Sequence, residues 1–336
     1  MEANADRQFA TDASIAEDNQ SDEEHAARER DTEFWYADGN VILAADNVEF
    51  RVYKGILADH SPVFKDMFSL PQPDPGASES DACPVVLLTD SPSDLRYILR
   101  VCIPKPDTNP FAAVTKGPSF ESVSASICLG HKYDMTELVA HGFSYLKTYF
   151  PTTYKAREQC PNYRPPAFSA EHAIAVVNLA RAFNEPALLP CALLACTTLL
   201  EPRTLILGFE RTDGVWEKLS EDDLVRCMNA RGMLFATSVS GAIRVFKSKP
   251  SSACSRYTQC QAELQKMLEG LDGVVKRFAD LHDPTQSRLK LYKNIGRRVC
   301  VACHEMLKER NTKEQRDAWV ALPGLLGVEV EGWDTQ

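Results

Sequence analysis

An α+β fold is what this chain predicts: a short mixed sheet flanked by helices, followed by an all-helical domain. Two observations carry that expectation. In Val48–Phe68 (VEFRVYKGILADHSPVFKDMF), Val48, Phe50 and Val52 alternate with Glu49 and Arg51, the period-two pattern of a half-buried strand. From Tyr53 the period changes, and Ile56, Leu57, Phe64, Met67 and Phe68 recur at helical spacing, with Ser61-Pro62 placed to cap and start a second helix. Beyond residue 168, the longer apolar patterns are helical.

Order is expected from Phe34-Trp35-Tyr36 onward. Asp38-Gly39-Asn40 supplies turn chemistry before the apolar strand Val41-Ile42-Leu43-Ala44. Asp46-Asn47 is a second turn signal, so the strand at 41–44 and the strand at 48–52 read as a hairpin. Residues 71–82 (PQPDPGASESDA) read as a loop, and Cys83–Leu88 as a third strand. Ser91-Pro92-Ser93-Asp94 is a helix start, opening a helix at 94–103 with Leu95, Ile98, Leu99 and Cys102 on one face. A further loop at 104–118 precedes helices at 120–133 and 135–150, the second ended by Pro151.

Composition bounds the rest. The 336 residues are 44% hydrophobic, enough for a sizeable core and for a division into two domains. Residues 1–33 hold eleven acidic and three basic residues, a net of −8 out of the chain's −10, with almost no large apolar side chains. Such a segment cannot bury enough surface to offset its ordering entropy and is expected to be a disordered acidic tail. The remainder is near neutral, which argues against a basic nucleic-acid surface, so direct nucleic-acid binding is not expected. No apolar run is long enough to span a membrane. The N-terminus lacks a charged-then-apolar signal, and an odd count of eleven cysteines argues against a disulfide framework. The expected location is the cytoplasm or nucleus.

The second half begins after a Pro-rich connector at 151–168 (PTTYKAREQCPNYRPPAF), read as a domain boundary. A helix with Ile174, Val177, Leu179 and Phe183 follows, then an almost wholly apolar one at 188–200, and a capped helix from Ser220 carrying Leu224, Met228, Leu234 and Phe235. Two longer helices are expected at 257–280 and 284–309. Residues 274–316 carry eleven basic and five acidic side chains, and their alternation with apolar residues fits the solvated face of a packed helix. The apolar segment 319–333, bounded by Trp319 and Trp333, is expected to fold back onto the helices.

One local motif invites chemistry: Cys300-Val301-Ala302-Cys303-His304. As C-x-x-C-H it matches covalent haem attachment, which needs export and a distal ligand. As half a zinc site it needs a second pair, for which Cys254-x5-Cys260 is the nearby candidate. As a redox pair it needs a lowered thiol pKa, toward which Arg297-Arg298 could contribute. The reading preferred on periodicity is packing alone, with Ile295, Val299, Cys303 and Met306 forming the buried stripe of one helix. No phosphate loop or nucleophile motif is present, and His60, His131 and His304 are scattered. No catalytic residue, cofactor or metal ligand is therefore assigned.

Taken with these patterns, FRVYKGILADHSPVFKDMF at 50–68, the strand Cys83–Asp90 with its following helix, and SICLGHKYDMTELVA at 126–140 resemble a BTB/POZ domain over about 34–150. In wording the chain is similar to BTB proteins of mushroom-forming fungi, through DGNVIL, CPVVLLTDSPSDL and WVALPGLLGVEVEGW. The resemblance identifies Asp38, Asn40, Phe50, Tyr53, Lys54, Leu57, Ser61, Phe64, Met67 and Phe68 as signature positions. It departs at Tyr53, where the family commonly has histidine, and at Asn40, where it has an aspartate that lines a charged pocket with the basic residue at Lys54. An Asn–Lys pair lacks the bidentate geometry of Asp–Arg. The resemblance implies a non-catalytic interaction protein: homodimer or homo-oligomer formation through the BTB domain, and a C-terminal helical domain, 169–336, presenting a partner surface. An alternative is a substrate adaptor for a cullin-3 ubiquitin ligase, although Ser69-Leu70-Pro71-Gln72-Pro73 stands where such adaptors carry an apolar-x-Glu motif. A second alternative is a metal- or thiol-dependent role at Cys300 and Cys303.

Overall fold

The computed structural model describes residues 28–70, 83–104, 117–160, 162–198, 201–275 and 283–335, in two units divided between Cys102 and Ile103. The expected loop at 71–82 and the acidic segment before residue 28 lie outside the described residues. Among the described residues no helix is long and apolar enough to cross a membrane.

The first unit contains β1 (Glu29–Trp35), β2 (Val41–Ala45), β3 (Val48–Val52), α1 (Lys54–His60), α2 (Pro62–Ser69), β4 (Val85–Leu88) and α3 (Pro92–Cys102). The sheet runs β1-β3-β2-β4 and is mixed, with β2 antiparallel to β3 and parallel to β4. Asp46 takes a left-handed φ of 50°, which lets Asp46-Asn47 reverse the chain and sets Leu43 opposite Phe50. Leu43, Phe50, Val52, Leu57, Phe64, Leu95 and Ile98 are fully buried. Each such large side chain contributes roughly 1.5–3 kcal/mol by leaving water. The Ser61-Pro62 signal acts as expected: the Ser61 hydroxyl accepts from Phe64 N at 3.1 Å, and Pro62 occupies the first turn.

Residues 29–33, expected as part of the disordered acidic tail, belong instead to β1, which pairs parallel with β3. Composition misses this because what holds β1 is distant in sequence. The buried Asp31 carboxylate accepts from Glu33 N and Phe34 N at 2.9 and 2.7 Å and from Arg96 Nε at 2.5 Å. Arg100 grips Glu33 with two nitrogens, at 2.9 and 2.6 Å.

The second unit is helical: α4 (Phe120–Lys132), α5 (Thr136–Tyr149), α6 (Tyr154–Gln159), α7 (His172–Ala182), α8 (Leu189–Thr197), α9 (Pro202–Leu207), α10 (Glu221–Val245), α11 (Tyr257–Glu269), α12 (Leu271–Val275), α13 (Ile295–Arg298) and α14 (Val301–Leu325). A small ribbon, β5 (Phe209–Glu210) with β6 (Trp216–Glu217), is joined through a turn at Asp213-Gly214, where Gly214 has a φ of 83°. Helices α4 and α5 approach closely at Gly142, where a Cβ would stand 2.6 Å from Ile127 Cγ1. Their inner face shares one core with α7, α8 and the ends of α10 and α14, through Phe120, Ile127, Phe143, Leu146, Ile174 and Leu193.

Residues 151–168, expected as a connector, are built into this unit. They form α6 and bury Arg157, Tyr163 and Phe168. Composition reads the prolines as a linker, but Arg157 donates to Tyr163 OH at 3.1 Å and to Thr285 Oγ1 at 2.9 Å. Thr285 Oγ1 in turn donates to Asp283 at 2.6 Å. The seam continues through Gln315, whose amide donates to Thr285 O at 2.8 Å, and Asn311, which accepts from Arg288 N at 2.8 Å. Arg288 is only 2% exposed, so this basic side chain lies in the interior instead of on a solvated face, and its burial pulls the guanidinium down to about 10. On either side of the seam lie two separate apolar cores, and α10 and α14 each contribute to both.

The apolar C-terminal segment folds back as expected. Trp333 stacks on buried Trp319 at 4.6 Å and donates its indole N–H to Trp319 O, while Asp334 accepts from Tyr154 N at 2.9 Å. The helix expected at 257–280 is α11 followed by α12, its end lying outside the described residues. The helix expected at 284–309 is continuous only from Val301, as the start of α14. Asn294 is left-handed at φ 59°, α13 has four residues, and Val299 and Cys300 are extended before α14 begins. Helical periodicity persists through this stretch, but the backbone does not follow it.

Two stability predictions follow from these contacts. Asp31→Ala leaves two amides and Arg96 without their acceptor and is expected to cost about 2–4 kcal/mol in urea unfolding of the full chain. In the second unit, burial opposes ionisation of Asp223, but Arg181, at 2.6 and 3.0 Å, and the Ser220 hydroxyl more than offset it, leaving the carboxyl below its usual range. A depressed carboxyl contributes stability above its unfolded pKa and loses it as pH falls through the folded value. Asp223→Asn is therefore expected to unfold earlier than the parent at neutral pH, with the gap in thermal midpoint closing below about pH 4.

Candidate functional site

Two places bring sequence-selected residues together. The first is the turn leading into α1. Asn40 Oδ1 accepts from Lys54 N at 2.8 Å, capping a helix whose own N-cap residue, Tyr53, offers no side-chain acceptor. The Tyr53 hydroxyl donates to Asp38 Oδ1 at 2.6 Å, and the Tyr36 and Tyr53 rings lie 5.1 Å apart. That hydrogen bond holds the Asp38 carboxyl below its ordinary range and raises the Tyr53 phenol. Asp38 and Tyr53 thus pair with each other, and the Asn40 side chain is committed to the backbone of Lys54. Phe50, Leu57, Ser61 and Phe64 are buried scaffold residues, and Met67 and Phe68 are half-buried, with Phe68 stacked on Phe64 at 5.7 Å.

The second place is in the helical unit. The sulfur atoms of Cys254, Cys260, Cys300 and Cys303 all lie within 4.8 Å of one another. Reading Cys303 as one position in the stripe of a single helix is overturned by the break at Val299–Cys300. That break puts Cys300 at the N-cap of α14 and Cys303 in its first turn. Cys260 occupies the first turn of α11, and Cys254 ends a turn closed by its own N–H to Ser251 O at 3.1 Å. The backbone amide of Cys303 lowers the Cys300 thiol, whereas burial raises Cys260 and Cys303. Elsewhere, burial pushes the Cys102 and Cys227 thiols up to about 12, as befits small apolar packing groups. The spacing C-x5-C and C-x2-C was visible in the sequence; the convergence needed the fold.

With sheet, helices and caps in place, the N-terminal part of the chain is a small α+β module of the kind used as an interaction scaffold. Residues 36–149 match the BTB/POZ domain family model, and this segment is a BTB/POZ domain, a family that mediates protein–protein interaction. The match runs across the division between the two units, taking in α4 and α5. No curated protein and no solved structure matches the chain.

The cap at Asn40 gives a direct test. Asn40→Ala is expected to destabilise the full chain by about 1 kcal/mol in chemical denaturation, whereas Asn40→Asp, which restores an acceptor and adds charge at the helix N-terminus, should leave it unchanged or slightly more stable.

Proposed function

We propose that this chain acts by non-catalytic protein–protein association, pairing with a second copy of itself through the BTB domain while the helical region presents a surface to another protein. The BTB match over 36–149 carries the reading. A feature of the sheet supports it: β4 is an edge strand, and its Val85 and Leu87 are 46% and 69% exposed. An edge carrying apolar side chains and no charge is a template for further pairing, which monomeric proteins usually blunt.

The material for the test is the full chain, because α4 and α5 bury their inner face against α7 and α8, and a fragment ending near residue 150 would expose that face. Light scattering over a range of concentrations is expected to give at least a dimer, and Leu87→Lys to shift it toward monomer. A parent chain that stays monomeric at the highest concentration overturns the reading. A cullin-3 pull-down separates this role from a ubiquitin-ligase adaptor; without the apolar-x-Glu motif, no capture is expected.

A further inference from the structure

We propose that Cys254, Cys260, Cys300 and Cys303 bind one zinc ion in a closed, structural tetrathiolate site. The proposal is independent of the association role. Four ligands on a tetrahedron with metal–sulfur bonds of about 2.3 Å stand about 3.8 Å apart. Here all four sulfurs lie within 4.8 Å of one another, with Cys254 and Cys300 at 3.6 Å. All-thiolate ligation selects a soft or borderline ion over calcium or magnesium, which take oxygen ligands. A multi-iron cluster sits between its cysteines and spreads them further apart than one shared ion does, so the spacing favours a single metal.

The surroundings fit metal-bound thiolates. The Cys300 amide donates to Cys260 Sγ at 3.2 Å and the Ser251 amide to Cys303 Sγ at 3.4 Å. Sulfur is a weak acceptor as a thiol and a much better one as a thiolate, and such outer hydrogen bonds orient metal ligands. Arg310 holds the segment that delivers Ser251, donating to Lys247 O at 3.1 Å and Lys249 O at 2.8 Å. Cys300 at the N-cap and Cys303 in the first turn place two of the sulfurs at the positive end of α14, offsetting part of the excess charge of four thiolates around a divalent ion. Cys260, Cys300 and Cys303 are buried and Cys254 half-buried, and the protein fills all four positions, so no site is left for substrate. A shallow surface depression beside the cluster is bordered by Ser255, Arg256, Gly296 and Cys300.

The site would also explain why the backbone abandons a helical pattern at Val299–Cys300. An unbroken helix would keep Cys300 and Cys303 in one rigid register. Restarting the helix at Cys300 lets both sulfurs face the pair from the 251–260 segment, which ties the starts of α11 and α14 together beside a small apolar core.

Elemental analysis of the full chain, purified without chelator, is expected to find about one zinc per chain, falling at least tenfold in Cys260→Ser and Cys303→Ser and remaining in Cys102→Ser. Because a serine variant could lose its metal by misfolding, cobalt exchange into the parent chain is the second readout. Intense sulfur-to-cobalt charge-transfer bands with tetrahedral ligand-field bands would support the site. A folded parent chain that carries no zinc, holds iron in its place, fails to give the cobalt spectrum, or contains a disulfide among these four cysteines overturns it.

Discussion

The burial of one helix face conditions much of this structure. The inner side of α4 and α5, with Phe120, Ile127, Phe143 and Leu146, has no core of its own and packs into the same interior as α7 and α8. The almost wholly apolar α8 cannot face water on any side, so it must sit in the middle of such an assembly. The BTB domain is therefore not separable at its C-terminal end: the last two helices of the family match are also the first two of the helical unit.

Within that unit, α10 and α14 each have 25 residues and pass through both apolar cores. Between the cores runs the polar seam of Arg157, Thr285, Arg288, Asn311 and Gln315. Buried hydrogen bonds of this kind contribute little net stability, but misplacing α14 by one turn would strand several partners at once. The seam thereby sets the axial register of α14 against the 283–288 segment, which apolar contacts alone would leave degenerate, and the cysteine cluster gathers the starts of α11 and α14.

What could be read from the sequence was what short-range chemistry specifies. The hairpin at Asp46-Asn47, the Ser61-Pro62 helix start and the α3 face of Leu95, Ile98 and Leu99 all rest on neighbours within a few residues. Strand β1 was hidden because Asp31 and Glu33 find Arg96 and Arg100 some 65 residues away. Residues 151–168 looked like a linker because the partners of Arg157 and Tyr163 lie more than 120 residues on. The break before α14 was invisible for a different reason: Ile295, Val299 and Cys303 keep helical spacing while the backbone is diverted. Of the candidate sites, the cysteine spacings were legible and their meeting was not, since two pairs 40 residues apart meet only if α11 and α14 start side by side.

The hydrogen bond from Tyr154 to Asp334 joins residues 180 positions apart, and Trp333 closes over Trp319 beside it. The interior that receives α4 and α5 is thus completed from far along the chain: Trp319 and Leu322 of α14 enter the same core as Phe120 and Phe143, so that core is whole only once residues 319–322 have joined it.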